Sequence, residues 1–149
     1  MNIFILDTNP ELAAKYHCDQ HVVKMILESA QMLSTVIGAG YKQTHENHPC
    51  TLWLKKSQAN CTWLIQLAAS LNEEYRIRFN HRRNHKSWDV ISEFHMFNYE
   101  HLPDIPMTPF AQAMPDLYKS DNAVESYRRY YKLQKPFATW RNDIPYWME

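Results

Sequence analysis

His17, His21, Lys24, Glu28 and Gln31 follow one another at intervals of four, three, four and three. Wound into a helix at about 100° per residue, they fall within a sector of roughly 80°. An acid, a base and a cation in one line can protonate a leaving group, activate a water or stabilise a charged intermediate. Lys24 and Glu28, four apart, are also placed to neutralise each other. The rest of the circumference is apolar: Val22, Val23, Met25, Ile26, Leu27, Ala30, Met32, Leu33 and Val36. A helix apolar nearly all round is usually buried, and unpaired charge inside protein is costly. Two readings stand open. The sector is the wall of a cleft, or it is an internal ion pair with satisfied histidines, because structural ion pairs leave the same pattern.

Other chemistries have less support. His17 and His21, four apart, can share an ion, with His45, His48 and Cys50 as further donors. Zinc needs three or four such ligands, and no carboxylate stands at the general-base position of an HExxH motif. No metal and no other cofactor is expected. The chain lacks GxSxG, a P-loop and a dinucleotide fingerprint. Cys18 follows His17 directly, and neighbours on a helix point apart. What is left is acid–base and electrostatic work, which N-glycosidic bond cleavage requires. A carboxylate beside a lysine and histidines can stabilise an oxocarbenium ion, and a desolvated lysine can form an imine with an opened sugar. Twenty aromatic side chains are available to stack a base.

The elements that must hold these residues read as helices. Only two glycines among 149 residues argue against tight hairpins. Asn2 to Leu6 is a short apolar run to be laid into the core. Pro10 suits a first helical position, with Asp7 to Asn9 as caps. Tyr16 to Ile37 reads as one helix, with a pause near Cys18 where Asp19 can cap a second stretch. Gly38 and Gly40 stop it. Pro49 opens the next helix, with His48 or Asn47 just outside, and the apolar spacing carries it to about Phe79. The run NHRRNHK that ends it is either a solvated helix end or a phosphate contact. Ser87 can cap a third helix from Trp88 to about Tyr99. Four prolines between Leu102 and Pro115 make a long irregular connection. Ser120 or Asp121 caps a last helix, ended by Pro136, and the aromatic tail packs back. The expectation is an all-α single domain over residues 1–149, a bundle of about four to five helices with a proline-rich loop before the last.

Sixteen basic and sixteen acidic side chains cancel, so bulk charge does not drive binding to duplex DNA or an anionic membrane. Three cysteines without a CxxC pair, and an N-terminus lacking a signal or a membrane span, point to a reducing interior. The protein is expected in the cytoplasm, in contact with no membrane.

Three local patterns resemble a known family. Asp19-Gln20-His21, followed by Glu28, is similar to the first long helix of the phage pyrimidine-dimer DNA glycosylases of the endonuclease V type. Tyr127-Arg128-Arg129-Tyr130-Tyr131-Lys132 resembles their aromatic and basic DNA-contacting segment. Lys24 four residues before Glu28, and Asn47-His48-Pro49 with Trp53, resemble a broader pyrimidine-dimer-excision group, and the whole chain resembles small tailed-phage proteins. The resemblance implies that Glu28 is catalytic, acting on the sugar and on an imine, with His21 in the same site. It also implies an N-terminal amine as nucleophile. In that family the amine is exposed after methionine removal, with threonine next. Here Asn2 is large enough that Met1 should stay, which shifts the amine by one residue. The arginines that grip DNA beside the family's glutamate are Leu27 and Gln31 here, which weakens duplex binding and base flipping.

The expected function is therefore an N-glycosidase, with or without lyase activity, on a damaged or modified base in DNA or on a free nucleotide. Glu28, His21 and Lys24 are its expected catalytic residues. His17, Asp19, Gln31, His45, Asn47, His48, Trp53, Tyr127, Arg128 and Tyr130 are its expected substrate contacts. The alternative is a non-catalytic protein that binds a nucleotide signal or a host protein.

Overall fold

A computed structural model describes the backbone of residues 1–149 and the side chains of all but Met96 and Phe97. Its architecture is all-α, with six α-helices and no strand among the described residues: α1 (Pro10–Tyr16), α2 (Asp19–Ile37), α3 (Pro49–Lys55), α4 (Gln58–Arg78), α5 (Lys86–Ser92) and α6 (Ala123–Tyr131). The two long helices, α2 and α4, pack on each other. α1 lies along α4, and α3 and α5 each touch both long helices. No helix among the described residues is long and apolar enough to cross a membrane.

Local chemistry sets most boundaries. Asn9 caps α1, accepting the backbone N–H of Glu11 at 2.9 Å, and Pro10 takes the first helical position. α2 ends at Gly38, whose φ of 78° carries the chain out in the left-handed region. His48 caps α3 through Nδ1, which accepts the Cys50 N–H at 3.1 Å, ahead of Pro49.

Several expected boundaries are corrected. The pause expected near Cys18 is a full break that divides Tyr16 to Ile37: α1 stops at Tyr16, and His17 and Cys18 are extended. Cys18, not Asp19, is the N-cap of α2, and it supplies no side-chain cap. Tertiary partners take over, since the Asp19 N–H donates to the Thr139 carbonyl at 2.7 Å. The long helix after Pro49 breaks at Lys56 and Ser57, where the Ser57 hydroxyl accepts the Ala59 N–H and restarts the helix as α4. α5 is capped by His85 rather than Ser87 and ends at Ser92, with a short 3-10 turn at Met96–Tyr99 beyond it. Asn122, not Ser120 or Asp121, caps α6.

The N-terminal run is threaded into the core: Ile3, Ile5 and Leu6 are almost fully buried. Phe4 takes a left-handed φ of 59°, which lets the segment bend under α2. Its ring stacks on His21 with centroids 4.7 Å apart and meets Tyr131 edge-on. The proline-rich connection is irregular, as expected, and pinned by a fully buried Asn60. The Asn60 Nδ2 donates to the Trp53 carbonyl and to the Thr108 hydroxyl, and its Oδ1 accepts the Thr108 N–H. The aromatic tail packs back through Trp140, Trp147 and Met148.

Candidate active site

Glu28 sits at the midpoint of α2 with its side chain only 9% exposed. A buried carboxylate needs donors, and the beginning of the chain brings them. The α-amine of Met1 lies 3.1 Å from Glu28 Oε1, and the Asn2 N–H donates to the same oxygen at 3.0 Å. Lys24 Nζ stands 3.9 Å from Oε2 with its side chain 66% exposed, so it faces solvent at the mouth of this cluster.

Asn2 is buried and both polar atoms of its side chain are used. Its Nδ2 donates to the Ala113 carbonyl at 2.9 Å, and its Oδ1 accepts the Ile3 N–H at 2.8 Å. The Cys50 thiol lies 4.0 Å from the same Oδ1. Beneath it, the Tyr127 hydroxyl donates to the Ala111 carbonyl at 2.8 Å and accepts the Ala113 N–H at 3.1 Å. Burial raises the Tyr127 hydroxyl well above its usual pKa and pushes the Cys50 thiol up to about 12, so both are neutral hydrogen-bonding groups at neutral pH. The His48 ring faces the Met1 carbonyl. Burial, the terminal amine and His45 all hold His48 below the ordinary histidine value.

Of the expected residues, the structure brings Glu28, Lys24 and His48 together around the terminal amine. His21 stands apart from them. Seven residues separate it from Glu28, about 10 Å along the helix axis. Its Nδ1 lies 2.7 Å from the Tyr131 hydroxyl, and burial, with Lys24 nearby, lowers its pKa to about 4. His45 and Asn47 are exposed in the loop before α3. Gln31 and Leu27 line an open cleft of about 600 Å³ with Tyr41, Lys42, Gln43 and Thr44, on the same helix as Glu28. Tyr130 is half-buried against Tyr118.

Other expected substrate contacts have structural duties instead. A substrate contact needs an accessible atom, and His17, Trp53 and Tyr127 expose almost none. His17 precedes α2 rather than riding on it. Its Nδ1–H donates to the Ala13 carbonyl at 2.6 Å, and burial drops its pKa to about 3. Trp53 Nε1–H donates to the Thr108 carbonyl. Asp19 is buried in an ionic knot with Arg78, Thr139 and Arg141. Arg128 gives its donors to the Leu6 carbonyl and to Asp7, which ties α6 to the N-terminal run. The residues that reading by spacing missed are Met1, Asn2, Cys50 and Ala113. The one signal for them was the resemblance that implies a terminal amine.

Among the described residues, no three His, Cys, Asp or Glu side chains converge to hold a metal. All three cysteines are free and buried. No curated protein and no solved structure matches the chain. A family model described as pyrimidine dimer DNA glycosylase matches residues 1–87, the part that carries Met1, Asn2, Glu28 and His48. That match spans more than half of the 149 residues, and the chain belongs to the pyrimidine dimer DNA glycosylase family.

Proposed function

We propose that the protein removes a damaged pyrimidine from DNA by attack of the α-amine beside Glu28 on the sugar, followed by strand cleavage through an imine. The observation that carries this reading is the pairing of that amine with a buried carboxylate oxygen at 3.1 Å. An amine acts as a nucleophile only after losing its proton, and a carboxylate in contact with it can accept that proton. The amine nitrogen then bonds to C1′ as the glycosidic bond breaks, and the base departs with the electron pair. Glu28, neutral once it holds the amine's proton, passes that proton to the ring oxygen as the sugar opens to the imine. A proton lost from C2′ drives departure of the 3′-phosphate.

The surroundings support duplex contacts of modest strength. Lys24 is the side-chain cation nearest to Glu28, and the adjoining cleft adds one more, Lys42, among the uncharged Leu27, Gln31 and Gln43. Binding should therefore lose affinity with salt less steeply than for a protein that grips many phosphates. The setting proposed is the cytoplasm, where DNA is accessible. The cleft, with the single cation Lys42 beside Tyr41 and Gln43, also favours a second reading, in which a free nucleotide binds without turnover.

Ultraviolet-irradiated plasmid, undamaged plasmid and a panel of nucleotides separate these readings. The wild type should nick only the irradiated plasmid and should be trapped on it by borohydride. Glu28→Gln should lose both while staying folded. A wild type that neither releases base nor is trapped refutes the proposal. A thermal shift with a nucleotide, without turnover, establishes the second reading.

A further inference from the structure

His21 is gripped by two other rings. Phe4, at its left-handed φ of 59°, lays its ring flat on the imidazole with centroids 4.7 Å apart. Tyr131 meets both rings edge-on, at 5.2 Å from each. Its hydroxyl accepts the Cys18 N–H at 2.9 Å and lies 2.7 Å from His21 Nδ1 and 3.1 Å from the Cys18 sulfur. Burial raises its pKa well above the usual value, so the hydroxyl keeps its proton. A phenol has one proton to donate. A neutral imidazole nitrogen takes it in preference to sulfur, a weak acceptor, and the shorter distance agrees. Once Nδ1 accepts, the ring carries its own proton on Nε2. Among the described residues nothing accepts from Nε2, and the ring is half-buried, so this edge faces the surface. Burial and Lys24 lower the His21 pKa to about 4, so the ring offers an N–H and no charge at neutral pH.

We infer that Tyr131 is a positioning residue: its hydroxyl fixes His21 in one tautomer, with the Nε2 N–H turned outward as a neutral donor to a phosphate oxygen of the bound DNA strand. This rests on the proposed function for the identity of the strand, whereas the tautomer is a property of the free protein. Phosphate is the ligand class because the donor stands about one helical turn from Lys24, an exposed cation, and a donor beside a cation suits an anionic oxygen. Glu28 lies about 10 Å further along the axis. At roughly 3.4 Å per nucleotide, the phosphate is about three nucleotides from the reacting sugar. His21 thus orients the strand and takes no proton in the reaction. Tyr131, fully buried, touches no DNA and acts through His21.

Isotopic labelling of the histidine ring nitrogens reads the tautomer by NMR at neutral pH. In the free protein His21 Nδ1 should give the signal of a bare, accepting nitrogen and Nε2 that of a protonated one. The reverse assignment, or an even mixture, overturns the proposal. Tyr131→Phe keeps the ring and should turn His21 into a mixture of tautomers. A folded Tyr131→Phe that keeps the single form overturns the role of the hydroxyl. Should that variant fail to fold, Cys18→Ala decides: the tautomer should stay as in the wild type, and a change assigns the control to sulfur instead. The phosphate contact is read from the Kd of Glu28→Gln for ultraviolet-damaged duplexes that carry one methylphosphonate linkage. Neutralising the phosphate about three nucleotides from the lesion should weaken binding about fivefold, the net worth of one hydrogen bond. His21→Ala in the same background should abolish that penalty. A penalty that survives His21→Ala, or no penalty at all, overturns the contact. A His21-dependent penalty without base release by the wild type sinks the glycosylase reading and leaves the contact standing.

Discussion

Replacing Arg78 by methionine separates the ionic cluster that holds the fold from the one proposed to carry the chemistry. The Arg78 side chain is 2% exposed and every arm of its guanidinium is engaged. Nη1 donates to the His17 carbonyl at 2.7 Å and to Asp19 Oδ1 at 3.2 Å. Nη2 donates to the Lys15 carbonyl at 2.9 Å, and Nε to Glu74 Oε1 at 2.9 Å. The group thus closes the carbonyl end of α1, fixes the start of α2 and anchors both to α4. Methionine fills the space of the stem and supplies no donor. Breaking one side of a buried ion pair costs about 3–5 kcal/mol. The low end applies here, because Asp19 keeps the Thr139 hydroxyl and the Arg141 N–H, and Glu74 keeps Asn142 at 3.4 Å. A loss of about 3 kcal/mol in a chain of this size lowers the melting temperature by roughly 6–12 °C. Urea and thermal unfolding measure it, and base release per folded molecule, assayed well below the melting point, should match the wild type. Glu28→Gln should behave in the opposite way. Its amide oxygen still accepts the Asn2 N–H and water reaches the Met1 main chain, so stability should change by only about 1 kcal/mol while base release disappears. An Arg78→Met protein as stable as the wild type, or folded and inactive, refutes this division of labour.

Acid should loosen the fold through His17. With a folded pKa of about 3 against an ordinary 6.5, it takes up its proton earlier in the unfolded chain. Stability therefore rises with pH between those values, and roughly 2 kcal/mol should be lost between about pH 6.5 and pH 4.5 from this residue alone. Urea titrations at the two pH values should show that difference shrinking by the same amount in His17→Phe; an unchanged difference contradicts it. Gly40→Ala should destabilise more than Gly38→Ala. Both glycines have positive φ, but a Cβ at Gly40 would stand 2.7 Å from the Ser34 hydroxyl and 2.9 Å from the Phe94 ring, whereas Gly38 has nothing within 4 Å. Gly38→Ala should cost about 1 kcal/mol for its conformation alone, and equal denaturation midpoints would refute the difference. Asn60→Ala should cost about 1–3 kcal/mol by leaving the Thr108 N–H without its partner, while the Trp53 carbonyl keeps the Lys56 N–H at 3.2 Å. It should also open residues 102–115 to limited proteolysis, and a resistant loop would contradict that.

The sequence made the helical class legible, because Pro10, Pro49 and Gly38 act through local sterics that need no knowledge of the rest of the chain. The Lys24–Glu28 spacing was also legible, and the two side chains do meet. The pause near Cys18 was legible too, but what enforces it was not, because its partners lie far away in the chain. The Cys18 N–H donates to the Tyr131 hydroxyl and the Asp19 N–H to Thr139, both more than a hundred residues distant. Apolar spacing runs unbroken past Ser57, which hides the break that serine, a strong N-cap, makes there. The polar sector was only half a site. His17 and Asp19 went to the packing of α1 against α4, while the groups that meet Glu28 came from the first two residues, where periodicity has nothing to say.

Asn2 and Cys18 both lean on atoms that lie beyond the stretch matched by the family model: the Ala113 carbonyl and the Tyr131 hydroxyl. The later half of the chain is thus a backstop pressed against the underside of the N-terminal run and the start of α2. Its sequence is free to drift wherever a main-chain carbonyl suffices and is constrained where one phenolic oxygen must arrive. Selection would then act on the reach of α6 more than on the residues displayed along its outer face.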